Sequence, residues 1–545
     1  MHRHLVSLFA LGLCPLACNP TEEGPKGDFG TVDLAFTTGT EAYLLSVYSL
    51  PGGEAAPGGQ VEFSLSKGGA NATALTLGRK SSTPPTGFDR GALEARIVAE
   101  GRRRAAIDGL VADIRAGRRT LHPATPRQAG GCSPACTGNQ MCFKGACTTT
   151  PELTFTDSTA VAATVIAVTS GAFKVNVVLD DNDQGNETAA TGAANAFAVA
   201  ATNALTLMGQ SGGHSAALDR DQDGRMTVVF SSKLASMGDV VGFFEHRDFL
   251  PAADSQATGN EADILWAQVP GAESRASCTA ANGCATDVIT PEVAIGTLVH
   301  EYTHLVNFAL RVYANGAAPA DNEVLWLDEG MAHLMEDLTG YGASNIGAAA
   351  VALDEWPSAT FASPTDSVAQ RGQAYLVLRY LVDALGKAKG ASTPAAAATS
   401  VLLHKTLLAD GARGFLHPAL QTFGADGLGA WLLATYATNN LEVTEVAAKS
   451  ALYLSPVNGG AGQPVGFDPF GTFVDARGNE LALTGPKLGD GSTDDLGDLS
   501  QPYTNSIAIS GSYLFLVQGA AGGTTSITGH TEAAADFQLR AVRVR

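Results

Sequence analysis

Basic charge is scarce in this chain. Its 545 residues carry 34 lysines and arginines against 54 aspartates and glutamates, a formal net charge of −20. Nucleic acid and anionic membrane surfaces both require basic patches, so neither is an expected partner. Long apolar runs are lacking as well. The one near the start, residues 5–13, is too short to span a bilayer, and no later stretch is long and apolar enough, so no transmembrane span is expected. Paired CxxC cysteines are missing from the cysteine cluster at residues 132–147, which weakens a metal-binding reading there. What is present is an ordinary apolar content, abundant glycine and alanine, and more length than one core usually holds; two to four domains are expected.

Residues 1–18 read as an export segment, with His2, Arg3 and His4 ahead of the apolar run. Pro15-Leu16-Ala17-Cys18 resembles a bacterial lipobox with small Ala17 before the cysteine, although proline stands where leucine is usual. The expectation is an extracytoplasmic protein, either secreted or anchored to a membrane by a lipid on Cys18. Export makes disulfides the default for Cys132, Cys136, Cys142 and Cys147, a short segment without a core of its own. A bridge between Cys278 and Cys284 is expected on the same ground.

Composition and periodicity divide the rest. Residues 19–89 alternate apolar and polar as short strands and read as a small β-rich domain. Residues 90–130 form an arginine-rich helical linker, for which nucleic-acid binding, a solvated helix and a removable pro-segment are the competing readings. Residues 131–150 are the cysteine knot. A catalytic unit is expected over residues 151–455. Within it, strands near 162–167 and 173–179 flank a Ser170-Gly171 turn, an alanine-rich helix covers 189–208, and further strands lie near 226–230, 239–244 and 263–267. Residues 456–545 return to glycine- and threonine-rich alternation, a second β-rich domain. Asp219, Asp221 and Asp223, followed by Gly224, open like a calcium loop, but the twelfth position is Phe230 where a glutamate is needed. Either another segment completes a Ca²⁺ shell or the loop is a polar turn.

The chemistry concentrates in His300-Glu301-Tyr302-Thr303-His304. Histidines four apart on a helix share a face and can reach one ion, and Glu301 stands where a base can touch water held there. Thr290-Pro291-Glu292 reads as the helix start, and Asn315-Gly316 as its stop. A second short helix follows, capped by Asp321 or Asn322 and stopped at Gly340, whose Glu329, His333 and Glu336 share one face.

His300-Glu301-Tyr302-Thr303-His304, with Trp326-Leu327-Asp328-Glu329-Gly330-Met331-Ala332-His333 downstream, resembles the gluzincin zinc peptidases, most of all the hyicolysin-like family. The resemblance covers roughly residues 160–440. It implies an α+β fold: a zincin-type domain with a mixed sheet lobe, a mostly helical lobe and the metal between them, flanked here by the two β-rich domains. It also implies Zn²⁺ on His300, His304 and Glu329, with Glu301 as general base. Asp328 is the competing third ligand, since another zincin group uses aspartate, and His333 braces the metal shell. Arg371 and then Tyr375 are the candidate oxyanion donors, with Arg371-Gly372 standing where the family pattern has Tyr-Gly. Residues 260–266 resemble the family's edge strand, which holds substrate backbone. The implied activity is endopeptidase hydrolysis of protein or peptide substrates. A zinc aminopeptidase and a non-catalytic surface or adhesion protein on the same scaffold are the alternatives.

Overall fold

The computed structural model describes residues 27–50, 60–68, 76–77, 90–121, 132, 136–210, 214–215, 217–237, 240–250, 259–271, 289–314, 321–356, 360–363, 365–410, 412–437, 453–455, 457–458, 464–466, 472–474, 480–483, 503–508, 510–518, 521–531 and 536–544. Cys18, Cys278, Cys284 and the Asn315-Gly316 stop lie outside them. The architecture is α+β. Four strands open it: β1 (Gly27–Phe36), β2 (Ala42–Ser49), β3 (Gln60–Gly68) and β4 (Thr76–Leu77).

Helix α1 (Arg90–Arg115) follows. Ile107, Leu110, Val111 and Ile114, spaced i, i+3, i+4 and i+7, are buried in the main core. This corrects the solvated-helix and linker readings: the apolar stripe, not the arginines, decides where the helix goes. The cysteine segment carries a hairpin of β5 (Met141–Phe143) and β6 (Ala146–Thr148), and its bridges are Cys132–Cys142 and Cys136–Cys147.

The next sheet contains β7 (Glu152–Thr154), β8 (Ala160–Val168), β9 (Val175–Asp180), β10 (Met226–Phe230), β11 (Gly242–Phe244) and β12 (Ile264–Ala267). Its order is β11-β12-β10-β9-β8-β7. Strands β9, β10 and β12 are parallel, while β8 and β11 run against their neighbours. β12 is therefore not at the edge as expected; the three-residue β11 covers it and takes the edge position. Helix α2 (Glu187–Leu207) packs an alanine-lined face on the sheet and on the helix that carries His300 and His304, and short α3 (His246–Phe249) follows β11.

Seven helices follow among the described residues: α4 (Pro291–Asn307), α5 (Leu325–Leu338), α6 (Ala343–Asp354), α7 (Val368–Ala388), α8 (Pro394–Val401), α9 (Leu403–Asp410) and α10 (Pro418–Tyr436). None of the described helices is long and apolar enough to cross a membrane. Two short hairpins follow, β13 (Val457–Asn458) with β14 (Pro464–Val465) and β15 (Thr472–Val474) with β16 (Glu480–Ala482). The chain closes with β17 (Tyr503–Ala508), β18 (Ser512–Gln518), β19 (Gly523–Thr531) and β20 (Phe537–Arg543).

The two ends do not form separate domains. One sheet has the order β1-β19-β3-β17 and the other β20-β2-β18-β4, so N- and C-terminal strands alternate within each. Their shared core holds Leu34, Phe36, Leu45, Val47, Phe63, Phe515, Ile527 and Phe537. The expectation of two flanking β-rich domains is thus replaced by one sandwich. Alternation identifies a strand and its buried face but says nothing about a partner several hundred residues away. The Tyr48 hydroxyl donates to Ala425 O at 2.8 Å, joining the sandwich to α10.

Candidate metal centre

Thr290 opens α4 by accepting from Val293 N at 3.3 Å, with Pro291 in the first turn. The same helical path continues beyond Asn307 as a π-helical stretch, Phe308–Tyr313. For α5 the expected caps are not used. Val324 occupies the cap position, and Glu323 Oε1 accepts the Val324 N–H at 2.8 Å. Gly340, at φ +91°, turns the chain away, as a left-handed residue after a helix does.

Packed together, α4 and α5 bring His300, His304 and Glu329 to one point, with ligating atoms within 4.8 Å of one another. His300 Nε2 lies 3.3 Å from Glu329 Oε2, and His304 Nε2 lies 3.6 Å from Glu329 Oε1. Neither Nε2 makes a well-aligned hydrogen bond, although both are buried. The opposite ring nitrogens face other carboxylates. His300 Nδ1 is 2.6 Å from Glu336 Oε1, and His304 Nδ1 is 3.2 Å from Asp328 Oδ2. Asp328 consequently stands behind His304, on the far side of the ring from Glu329.

Glu336, set by its spacing on the Glu329 face but given no role there, is the carboxylate behind His300. It was legible as the i+7 member of the Glu329 face, and it also sits 3.1 Å from His333 Nδ1 and accepts from Ser344 Oγ at 2.8 Å. His333 is held further by Asn345, through Nδ1 to Oδ1 and Asn345 Nδ2 to the His333 carbonyl, both 2.7 Å. His333 thus packs behind His300, their ring centroids 4.7 Å apart.

Arg371 reaches this cluster because α7 comes close to α5 and α6. A Cβ on Gly330 would meet Leu378 Cδ1 at 2.7 Å, and one on Gly372 would meet the Ala348 carbonyl at 2.1 Å. With both positions glycine, Arg371 Nη1 comes 3.0 Å from Glu329 Oε2, while Nε and Nη2 bond Asp366 at 2.8 and 2.6 Å. Tyr375 is not brought to the metal donors. One turn onward on α7, it meets α5 at Asp337, to which its hydroxyl is hydrogen-bonded beside Arg379.

The surroundings are strongly charged. Burial disfavours charge on His304, but the Asp328 and Glu329 carboxylates outweigh it and push its pKa up to about 10. Burial also disfavours the Glu329 carboxylate, yet Arg371 and His304 hold it well below its ordinary range. What points to a cation is that both buried Nε2 atoms lack a hydrogen-bond partner while facing the Glu329 carboxylate. Three donors, two of them neutral-capable imidazoles with their far nitrogens braced by carboxylates, are a fitting donor set for Zn²⁺.

Glu301 lies beside the cluster, and Phe244 N on edge strand β11 donates to its Oε2 at 2.9 Å. The same oxygen is 2.6 Å from Arg103 Nη1. Arg103 belongs to α1, and it does not come alone. Arg104 Nη1 is 3.4 Å from Asp328 Oδ2, Glu100 pairs with Arg371 Nη1, and Glu100 Oε1 stands 4.0 Å from His300 Nε2. Under this cover His300 and Glu301 are fully buried and Glu329 is 2 % exposed. A cavity of ≈ 500 Å³ runs beside them, lined by Glu100, Arg103, Phe243, Phe244, His246 and Arg247 among others. No local signal in residues 90–115 could have placed Glu100 and Arg103 here, since the contact spans some 200 positions. Comparison with protein-family models and with curated proteins finds no match to this chain.

Proposed function

We propose that this protein is an exported zinc-dependent endopeptidase of the gluzincin type. The observation that carries the reading is the convergence of His300 Nε2, His304 Nε2 and the Glu329 carboxylate, with Glu301 alongside. His300, His304 and Glu329 would hold the ion. Zinc, when bound, supplies Lewis acidity that acidifies water and polarises a carbonyl. Glu301 takes the proton at its carboxylate and delivers it to the leaving amine, the work of a general base turned general acid. Arg371 Nη1 faces the place that Glu100 now fills, where it would stabilise negative charge developing on the scissile carbonyl oxygen. The sheet edge beside Glu301 is β11, and an extended peptide adding to it would run past that carboxylate. The two disulfides accord with an oxidising compartment outside the cytoplasm, secreted or lipid-anchored.

Hydrolysis of casein and of a peptide library, measured with and without a chelator, tests this. Chelator-sensitive cleavage within peptides supports an endopeptidase. Release of single N-terminal residues points to the aminopeptidase, and a zinc-loaded protein that cleaves nothing, even with Arg103 replaced by alanine, leaves the non-catalytic surface protein.

A further inference from the structure

A second cluster lies ahead of β10 and β12. The loop ahead of β10 carries Asp219, Asp221 and Asp223, turned by Gln222 at φ +59° and Gly224 at φ +74°. Backbone groups fold it on itself: Gly224 N donates to Asp219 Oδ2 at 2.9 Å and Arg225 N to Asp223 Oδ1 at 2.8 Å. The carboxylate absent at Phe230 comes from elsewhere in the chain. Parallel pairing of β10 with β12 sets Thr227 against Ile264, so Asp263 falls directly beside the end of the loop. Asp263 Oδ1 accepts from Arg220 N at 2.8 Å, and its Oδ2 lies 2.8 Å from His214 Nε2. His214, Asp219 and Asp263 have ligating atoms within 4.8 Å of one another.

Two oxygens in this cluster point to an ion. Asp219 Oδ1 and Asp221 Oδ2 are buried without a hydrogen-bond partner, and Asp221 and Asp263 are each 1 % exposed. Burial and then the charges of Asp263, Asp223 and Asp219 raise the Asp221 pKa well above its ordinary range. The neighbouring arginines are turned elsewhere: Arg220 Nε donates to the Phe249 carbonyl at 2.7 Å, and Arg225 Nη1 to that of Gln140 at 2.9 Å. Carboxylates gathered away from water repel one another unless a cation sits among them.

We propose that Asp219, Asp221, Asp223 and Asp263 form a divalent-cation site, its donor chemistry fitting Ca²⁺, distinct from the centre on His300. All four donors offer hard oxygen, and His214 serves by holding Asp263 through Nε2. The ion fastens the loop to β12. Through Asp223 Oδ2, which accepts from Asn176 Nδ2 at 2.9 Å and from Cys142 N at 3.4 Å, it also fastens β9 and the disulfide segment.

The test is a CaCl₂ titration of cation-depleted full-length protein by calorimetry, with thermal unfolding in CaCl₂, MgCl₂ or ZnCl₂. One saturable Ca²⁺ per chain and a rise in melting temperature are expected, with binding weakened at least about tenfold by Asp263→Asn. Asp221→Asn should abolish the calcium response while leaving the ion-free protein at least as stable as wild type, because it removes a buried repelling charge. No saturable calcium binding overturns the site, as does undiminished binding by Asp263→Asn. An Asp221→Asn variant that is destabilised when ion-free yet keeps its calcium response assigns these residues a packing role only. Measured in Glu329→Gln protein, whose His300 centre is disabled, a response to ZnCl₂ that CaCl₂ does not give overturns the calcium assignment.

An independent observation carries a second inference, which rests on the zinc-peptidase reading. The geometry points to α1 as a built-in plug: Glu100 takes the place of an anionic substrate group against Arg371, and Arg103 holds the general base. The apolar stripe at Ile107, Leu110, Val111 and Ile114 seats the helix. Because β1 and β3 pair with β17 and β19, loss of residues 19–150 as one piece would strip strands from the sandwich. Opening therefore displaces or excises α1 and leaves those strands in place.

Turnover and the rate of zinc loss to a colorimetric chelator are measured for the full chain, Glu100→Ala and Arg103→Ala. Both rates should rise at least about tenfold in the variants. Unchanged rates beside an active wild type overturn the plug and spare the peptidase. Faster zinc loss without turnover in any form supports the plug and removes the peptidase.

Discussion

Asp328 and Glu329 are neighbours in sequence and opposites in the site. A helix turns about 100° per residue, so only one of two adjacent side chains can enter the space between α4 and α5 at the Nε2 side. Glu329 does, while Asp328 backs His304 Nδ1. Glu301, likewise next to His300, points toward β11 and the α1 cover. Replacing it by glutamine should keep the metal and lower turnover by roughly a hundred- to ten-thousandfold, read from zinc content and peptide hydrolysis on one sample. What was legible at this scale was whatever helical periodicity fixes: His300, Glu301, His304 and Glu329 sit on predictable faces. Glu100, Arg103 and the diversion of Tyr375 to Asp337 depend on how distant helices pack, and local spacing holds no record of that.

Among the elements, the short β11 and α3 matter beyond their length. They cover β12, line the cavity and carry the Phe244 N–H that meets Glu301. Asp248 on α3 anchors them, accepting from Trp266 Nε1 at 2.8 Å and from Asn260 Nδ2 at 2.7 Å. Burial, and after it the Glu245 carboxylate, raises the Asp248 pKa to about 8. A carboxyl with a raised folded-state pKa binds more protons folded than unfolded between the two values. Its stabilising contribution is therefore complete below about pH 4 and is lost as pH rises toward 8. Urea midpoints across pH 4–9 should fall for wild type over this window, and Asp248→Asn should remove that part of the slope. Equal slopes in both proteins would count against the anchor. Element existence was well read here, from the Ser170-Gly171 hairpin to the alanine-rich α2. The edge assignment was not, because strand order is a property of the sheet and three-residue β11 gave little pattern of its own.

At the scale of the molecule, the first and last described strands close one sandwich with its own core. The N- and C-terminal segments must then be present together for either to fold. Phe537, stacked on Phe29 and packed against Phe63, belongs to both segments' core. Its truncation to alanine should cost about 3–5 kcal/mol and expose tryptic sites in residues 27–68 along with the C-terminal ones. Proteolysis confined to the C-terminal segment would restore two separate domains.

The proposed function turns on which side chains would hold the metal. Zinc content after dialysis, measured by elemental mass spectrometry on wild type, Glu329→Gln and Asp328→Asn, addresses that most directly. One zinc per chain in wild type, near-complete loss in Glu329→Gln and retention in Asp328→Asn is the predicted result. Zinc lost from Asp328→Asn and kept by Glu329→Gln would contradict it.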